Sequence, residues 1–149
     1  MTPYVAVLNG PNLNLLGQRQ PEVYGRDTLA DVEDLCAATA GAAGFEVRCV
    51  QSNHEGALLD AVHEMRTEAA GFVVNAGALT HTSVALRDAL VTITGPLIEV
   101  HISNVHAREA FRHHSYLSDI AAGVIVGCGI EGYCFAVERV LTLTGGRGA

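Results

Sequence analysis

Five short apolar runs punctuate this chain: Tyr4–Leu8, Phe45–Gln51, Gly71–Asn75, Leu97–His101 and Gly123–Gly127. Segments between them carry apolar residues at helical spacing. A strand exposed on one side alternates apolar with polar residues, whereas a run such as Val5-Ala6-Val7-Leu8 leaves no polar face. Such strands must be covered on both sides. Strand–helix alternation supplies that cover through right-handed crossovers, which makes the sheet parallel.

The helical segments can be read one by one. Thr28 with Asp31 forms a capping-box pattern, followed by Leu29, Val32, Leu35 and Cys36 on one face, with Gly41 and Gly44 as a stop. Leu58, Leu59, Val62 and Met65 make a second stripe; Leu86, Leu90 and Ile93 a third; Tyr133, Val137, Val140 and Leu141 the last. Ala107 to His114 is a shorter helix candidate. With 149 residues and no linker, repeat or low-complexity tract, residues 1–149 are expected to form one domain. The expected class is α/β: a flavodoxin-like, doubly wound five-stranded parallel sheet with helices on both faces.

The longest irregular stretch runs from Asn9 to Asp27. Its Gly, Pro and Asn content argues against a helix, and its length suggests an active-site lid, mobile over about residues 17–26, with Gly10, Gly17 and Gly25 permitting movement. Asn12, Arg19 and Tyr24 fall within it. A free phenol, with a pKa of about 10, is ionised in only about one molecule in a thousand at pH 7. A cation at hydrogen-bonding distance favours the ionised form and makes it a usable base.

Ligands of open α/β sheets bind at the C-terminal strand ends, and here three of those ends are polar. The first gives Asn9 and Asn12; the third gives Asn75 and then His81; the fourth gives Glu99, His101, Ile102, Ser103 and Asn104. Glu99 and His101 are two apart on a strand and share a face, so a carboxylate sits beside an imidazole that it can orient for acid work. Singly, each of these residues reads as readily as structure: Asn75 as a cap, Arg19 as a surface charge, Tyr24 as packing. Their convergence on one edge is what favours a catalytic site.

Composition removes several other chemistries. All nine basic residues are Arg, so Schiff-base catalysis, pyridoxal phosphate attachment and a Walker-type phosphate loop are excluded. A net charge of −7 without a basic run argues against nucleic acid as a partner. The seven histidines show no metal-ligand spacing, the first turn lacks G-x-G-x-x-G, and no Asp ends strand one or three as a phospho-receiver needs. Cys36, Cys49, Cys128 and Cys134 lie among apolar residues without C-x-x-C spacing and read as buried free thiols. The N-terminal residues have no signal-peptide pattern and no run approaches a membrane span, so a soluble cytoplasmic protein is expected.

At this point the motifs resemble those of type II 3-dehydroquinate dehydratases. The matching stretches are N-G-P-N-L-N-L-L-G-x-R-x-P-x-x-Y-G at 9–25, Q-S-N-H-E-G at 51–56, N-A-G-A-L-T-H-T-S at 75–83, E-V-H-I-S-N at 99–104 and R-x-x-F-R-x-x-S at 108–115. The resemblance spans nearly the whole chain. It implies dehydration of 3-dehydroquinate to 3-dehydroshikimate, in aromatic biosynthesis or quinate catabolism, by a dodecamer built as a tetramer of trimers. By resemblance Tyr24 is the base, Arg19 keeps it ionised, Asn12 holds a water against the enolate oxygen, and His101 is the general acid oriented by Glu99. Asn75, His81, Ile102, Ser103 and Arg112 resemble the substrate clamp, and Asp88 the acid that arrives from a neighbouring subunit. Gln20 departs from the family, many members of which carry Glu there. The chemistry asks for no metal or organic cofactor, because oriented hydrogen bonds can hold the enolate. Two rival readings are a non-catalytic flavodoxin-like module for a small anion or flavin, and a hydrolase using His101 and Ser103.

Overall fold

The computed structural model of the chain describes residues 1–145. Five parallel strands lie in the order β2-β1-β3-β4-β5, with β1 Tyr4–Asn9, β2 Glu46–Gln51, β3 Gly71–Asn75, β4 Leu97–His101 and β5 Gly123–Val126. The flavodoxin-like order expected from the sequence is the order found. Every residue of β1, β3 and β4 is buried, which is why these runs carry no polar face.

Helices cover both sides. Helix α2 (Leu29–Gly41) and helix α5 (Glu131–Leu143) pack one face through Val32, Cys36, Tyr133, Val137 and Val140. Helix α3 (Glu55–Met65) and helix α4 (Val84–Val91) pack the other through Leu58, Val62, Met65, Leu86 and Leu90 against Leu8, Phe72 and Val74. Each fully buried side chain of the Leu or Phe class adds roughly 1.5–3 kcal/mol by leaving water. Thr28 and Asp31 form the expected capping box, with each side chain accepting from the other's backbone amide.

From β1 the chain moves to one side to form β2 and then crosses back past β1 to form β3, and the crevice opens at that reversal. Two loops close its floor by unusually near approach. A Cβ added to Gly10 would stand 2.2 Å from the Ala76 carbonyl oxygen, a clash of backbone against side chain. Gly10 also donates its amide to the Asn75 carbonyl at 2.8 Å. This turn therefore tolerates no side chain, and N-G-P-N beside N-A-G-A is a packing requirement.

Three expectations are corrected. Ala107 to His114 is not a helix but two 3₁₀ turns, Val105–Ala107 and Ala110–Arg112. Asn104 caps the first turn at the His106 amide, Glu109 is extended between them (ψ 147), and Phe111 is 64% exposed, so no apolar stripe exists to hold a helix down. The Asn9–Asp27 stretch is not helix-free: it holds a 3₁₀ turn at Leu13–Leu15 and one helical turn, α1, at Pro21–Tyr24. Pro21 starts α1 where a missing amide proton costs nothing, and Gly25 ends it at φ 79, ψ −170. Finally, the cysteines are not all buried. Cys36 is, and burial with the neighbouring Cys49 and Cys134 thiols pushes it up to about 12; Cys49 and Cys134 are half-buried and Cys128 is exposed, all four being free thiols.

Candidate active site

The crevice is a cleft of about 280 Å³ at the C-terminal strand ends. Its floor is a polar bridge. Register pairs Asn9 with Asn75 across β1 and β3, and the Tyr133 hydroxyl of α5 spans them, donating to Asn9 Oδ1 at 2.6 Å and accepting from Asn75 Nδ2 at 2.9 Å. Asn75 Oδ1 also accepts from the Gly77 amide. Tyr133 is wholly buried and its phenol is pushed up by that burial, so it is a neutral strut.

Asn12 stands at the rim in a left-handed conformation, φ 69, which Asn tolerates better than most residues. Its amide donates to Asn53 Oδ1 at 2.9 Å, and Gln51 Nε2 donates both to that oxygen and to the Gly10 carbonyl. The Q-S-N stretch after β2 thus braces the loop after β1. Below it Leu13 and Leu16 are buried in the core, which anchors the first half of the loop.

Tyr24 and Arg19 both line the cleft, but not as expected. The Arg19 guanidinium lies over the Tyr24 ring, 5.0 Å from its centroid, rather than on its oxygen. The cation at the phenol oxygen is Arg108, whose Nη1 donates to Tyr24 Oη at 2.9 Å and to Ser103 Oγ at 3.2 Å. Two arginines therefore embrace one phenol, one by its face and one by its oxygen. A cation over a ring interacts with the π system; one that donates to the oxygen stabilises a phenolate directly.

On the opposite side stand His101 and Glu99. Glu99 is 1% exposed and its Oε2 accepts from His101 Nε2. Burial pushes this carboxyl up, but the His101 hydrogen bond and charge, with the Ser118 and Ser115 hydroxyls, outweigh burial and leave it below the usual carboxylate range. With Nε2 given to the carboxylate, Nδ1 is the nitrogen left for a ligand. His81 stacks on His101 at 6.5 Å between centroids, and its Nδ1 donates to the His114 carbonyl at 2.7 Å. Burial lowers the His81 imidazole, so it is neutral at pH 7 and offers Nε2 as an acceptor.

Ile102, Ser103, Asn75 and Arg112 complete the lining. The Arg112 guanidinium is held by Glu109 at 3.1 Å. Asp88 is exposed on α4 and outside the cleft. Three arginines and two imidazoles suit an anionic, hydroxylated ligand. Ser103 gives its oxygen to Arg108 rather than to His101, which removes the hydrolase reading. Among the described residues no group of three His, Cys, Asp or Glu is placed to hold a metal ion.

The family model for Dehydroquinase class II matches residues 3–141. The chain belongs to the class II dehydroquinases. A protein of Cereibacter sphaeroides named 3-dehydroquinate dehydratase is 62% identical over 146 residues, covering 98% of this chain and 99% of its own length. A catabolic 3-dehydroquinase of Pyricularia oryzae is 60% identical over 138 residues, covering 91% and 88%. In three dimensions the chain is similar to the crystal structure of a type II dehydroquinase from Propionibacterium acnes, with a TM-score of 0.88, 38% identity and coverage of 95% and 98%.

Sequence reasoning missed several residues of this class II dehydroquinase. Arg108 opens the R-x-x-F-R-x-x-S stretch that also holds Arg112, and nothing in its spacing marks it as the partner of Tyr24. Ser115 closes the same stretch and binds Glu99. Tyr133 read only as one member of an apolar stripe, since its hydroxyl's partners lie 58 and 124 residues away.

Proposed function

We propose that this chain dehydrates 3-dehydroquinate to 3-dehydroshikimate through an enolate, with Tyr24 as base and His101 as acid. The observation that carries the reading is a phenol oxygen bonded by Arg108 and a carboxylate-bound imidazole lining a single cleft. The leaving hydroxyl of the substrate is β to its ketone. Tyr24 takes the α-proton, the C–H electron pair becomes the enolate, and the enolate then expels the hydroxyl, which leaves as water with a proton from His101 Nδ1. Asn12 holds a water against the enolate oxygen, a stabilisation by oriented donors. Ile102 and Ser103 amides, with Arg112, receive the substrate carboxylate, while Asn75 and neutral His81 take its hydroxyls. Release of Arg112 from Glu109 accompanies binding. The direct test is incubation with 3-dehydroquinate while following the ultraviolet absorbance of the conjugated enone. No absorbance change with folded protein defeats the reading.

Arg19 and Arg108 divide the work of holding the tyrosinate. Arg108→Ala is expected to lower kcat by about 10²–10³, the loss typical of one donor to a developing anion. Arg19→Ala is expected to cost less, because its cation sits over the ring and not at the oxygen. A larger loss of kcat in Arg19→Ala than in Arg108→Ala would reverse the assignment.

The segment 17–26 serves as the lid over the bound substrate. Its hinges are Gly17 and Gly25, both at positive φ, together with Gln20 at φ 44, the residue that stands where many members of the family carry Glu. The protein acts in the cytoplasm as a dodecamer built as a tetramer of trimers, in aromatic biosynthesis or quinate catabolism, and a relative named a catabolic 3-dehydroquinase supports the second role. Asp88 enters a neighbour's cleft and meets Arg112. It finds no donor in His81, whose Nδ1–H is already spent on His114. Asp88→Arg is expected to weaken assembly and rate together, by setting like charges opposed. Light scattering beside the enone assay checks this, and an active wild-type monomer would overturn it.

A further inference from the structure

Glu99 has more partners than the orientation of one imidazole requires. Its Oε2 accepts from His101 Nε2, from Ser115 Oγ at 2.8 Å and from Thr80 Oγ1 at 3.2 Å, and its Oε1 accepts from Ser118 Oγ at 2.6 Å. The Ser115 oxygen accepts from the Leu117 amide at 3.1 Å and stands 3.1 Å from the Thr80 hydroxyl, so with its proton on Glu99 the two hydroxyls form one connected cage. An ionised carboxylate accepts all four bonds at once. A protonated carboxyl turns one oxygen into a donor and gives up at least one of them.

We propose that Ser118, with Ser115 and Thr80, is a positioning residue of the reaction: the three hydroxyls hold Glu99 as a carboxylate, and the carboxylate accepts the His101 Nε2–H and so turns Nδ1, the proton-donating nitrogen, toward the substrate. This rests on His101 being the proton donor. Ser118 lies three residues beyond the R-x-x-F-R-x-x-S stretch.

A second function for the cage is excluded by atom bookkeeping. A small cavity of about 40 Å³ beside the pair is lined by Glu99, Ser115, Ser118, His106 and His113, and shares His81, His101 and Arg112 with the cleft. A proton entering there and passing through Glu99 would reach Nε2, which already carries one. The nitrogen that loses a proton in each turnover is Nδ1, so it is refilled from the cleft. The cage fixes the acid and does not feed it. The charged or titratable groups facing the pair are His81 on the ring face, Arg112 at the cleft, and His106 and His113 at the small cavity; β5 presents only Val124 and Val126.

Ser118→Ala removes the partner of Oε1. We expect kcat to fall roughly tenfold, the loss of one hydrogen bond to a charged group, with KM unchanged. The acidic limb of kcat and the ¹³C NMR titration of the Glu99 carboxyl carbon move together to higher pH. Ser118→Thr restores all three. Thr80→Ala has a smaller effect, because Oε2 keeps two other donors. Unchanged kcat and an unchanged Glu99 titration in Ser118→Ala overturn the proposal, and so does a Ser118→Thr enzyme no better than Ser118→Ala. If Ser118→Ala and Ser115→Ala both fail to fold by circular dichroism, the hydroxyls are structural and the proposal also falls. A fully active His101→Ala enzyme would defeat the parent reading instead, and the Glu99 titration would still report on the cage.

Discussion

Tyr24→Phe leaves the ring between Arg19 and Arg108 and removes only the oxygen, and turnover should fall by about 10²–10⁴, the usual worth of a positioned base. Substrate binding should persist, because the clamp residues and the Arg19 contact to the ring face are untouched. Arg108 keeps its second acceptor, Ser103 Oγ, so it is not set loose by the change. Isothermal titration with substrate separates the two effects. Activity within threefold of the unaltered protein would remove Tyr24 from the role of base.

His101→Ala should divide the reaction. Proton abstraction depends on the Tyr24 side of the cleft and expulsion of the hydroxyl on the His101 side, so the second step suffers more. Product formation should drop by about 10²–10⁴, while exchange of the substrate α-hydrogen with solvent deuterium continues. The imidazole's loss also strips Oε2 of its nitrogen donor, yet Ser115 and Thr80 still hold that oxygen, so Glu99 is not abandoned in the core. Mass spectrometry of recovered substrate measures exchange beside the enone assay. If exchange, dehydration and substrate binding vanish together, His101 belongs to binding.

The fold was legible because its signal is collective. Val5 to Leu8 and Phe72 to Val74 could be read as two-sided strands without knowing any partner, and Thr28 with Asp31 announces a helix start from three residues' spacing alone. The site was legible where its geometry is local: Glu99 and His101 share a face by strand periodicity, and they meet. It failed where contacts are made across the fold. Arg108 reaches Tyr24 over 84 positions, and no periodicity marks that pairing. The helix expected over Ala107 to His114 failed for the opposite reason, since local propensity had no buried stripe to act on and Phe111 faces solvent.

The Tyr133 strut carries a consequence for the order in which this protein can be made. The reacting groups reside between Asn12 and Arg112, and all of them leave the ribosome before Tyr133 does. Until α5 docks, Asn9 and Asn75 lack the hydroxyl that joins the ends of β1 and β3, a link spanning 124 positions in one direction and 58 in the other. Contacts so distant in sequence close late, because the loop entropy between them must be overcome first. A nascent chain arrested just short of α5 would own every group of the proposed chemistry and still have an unsupported crevice floor. Activity is therefore tied to completion of the last helix, and a truncated translation product is expected to be silent.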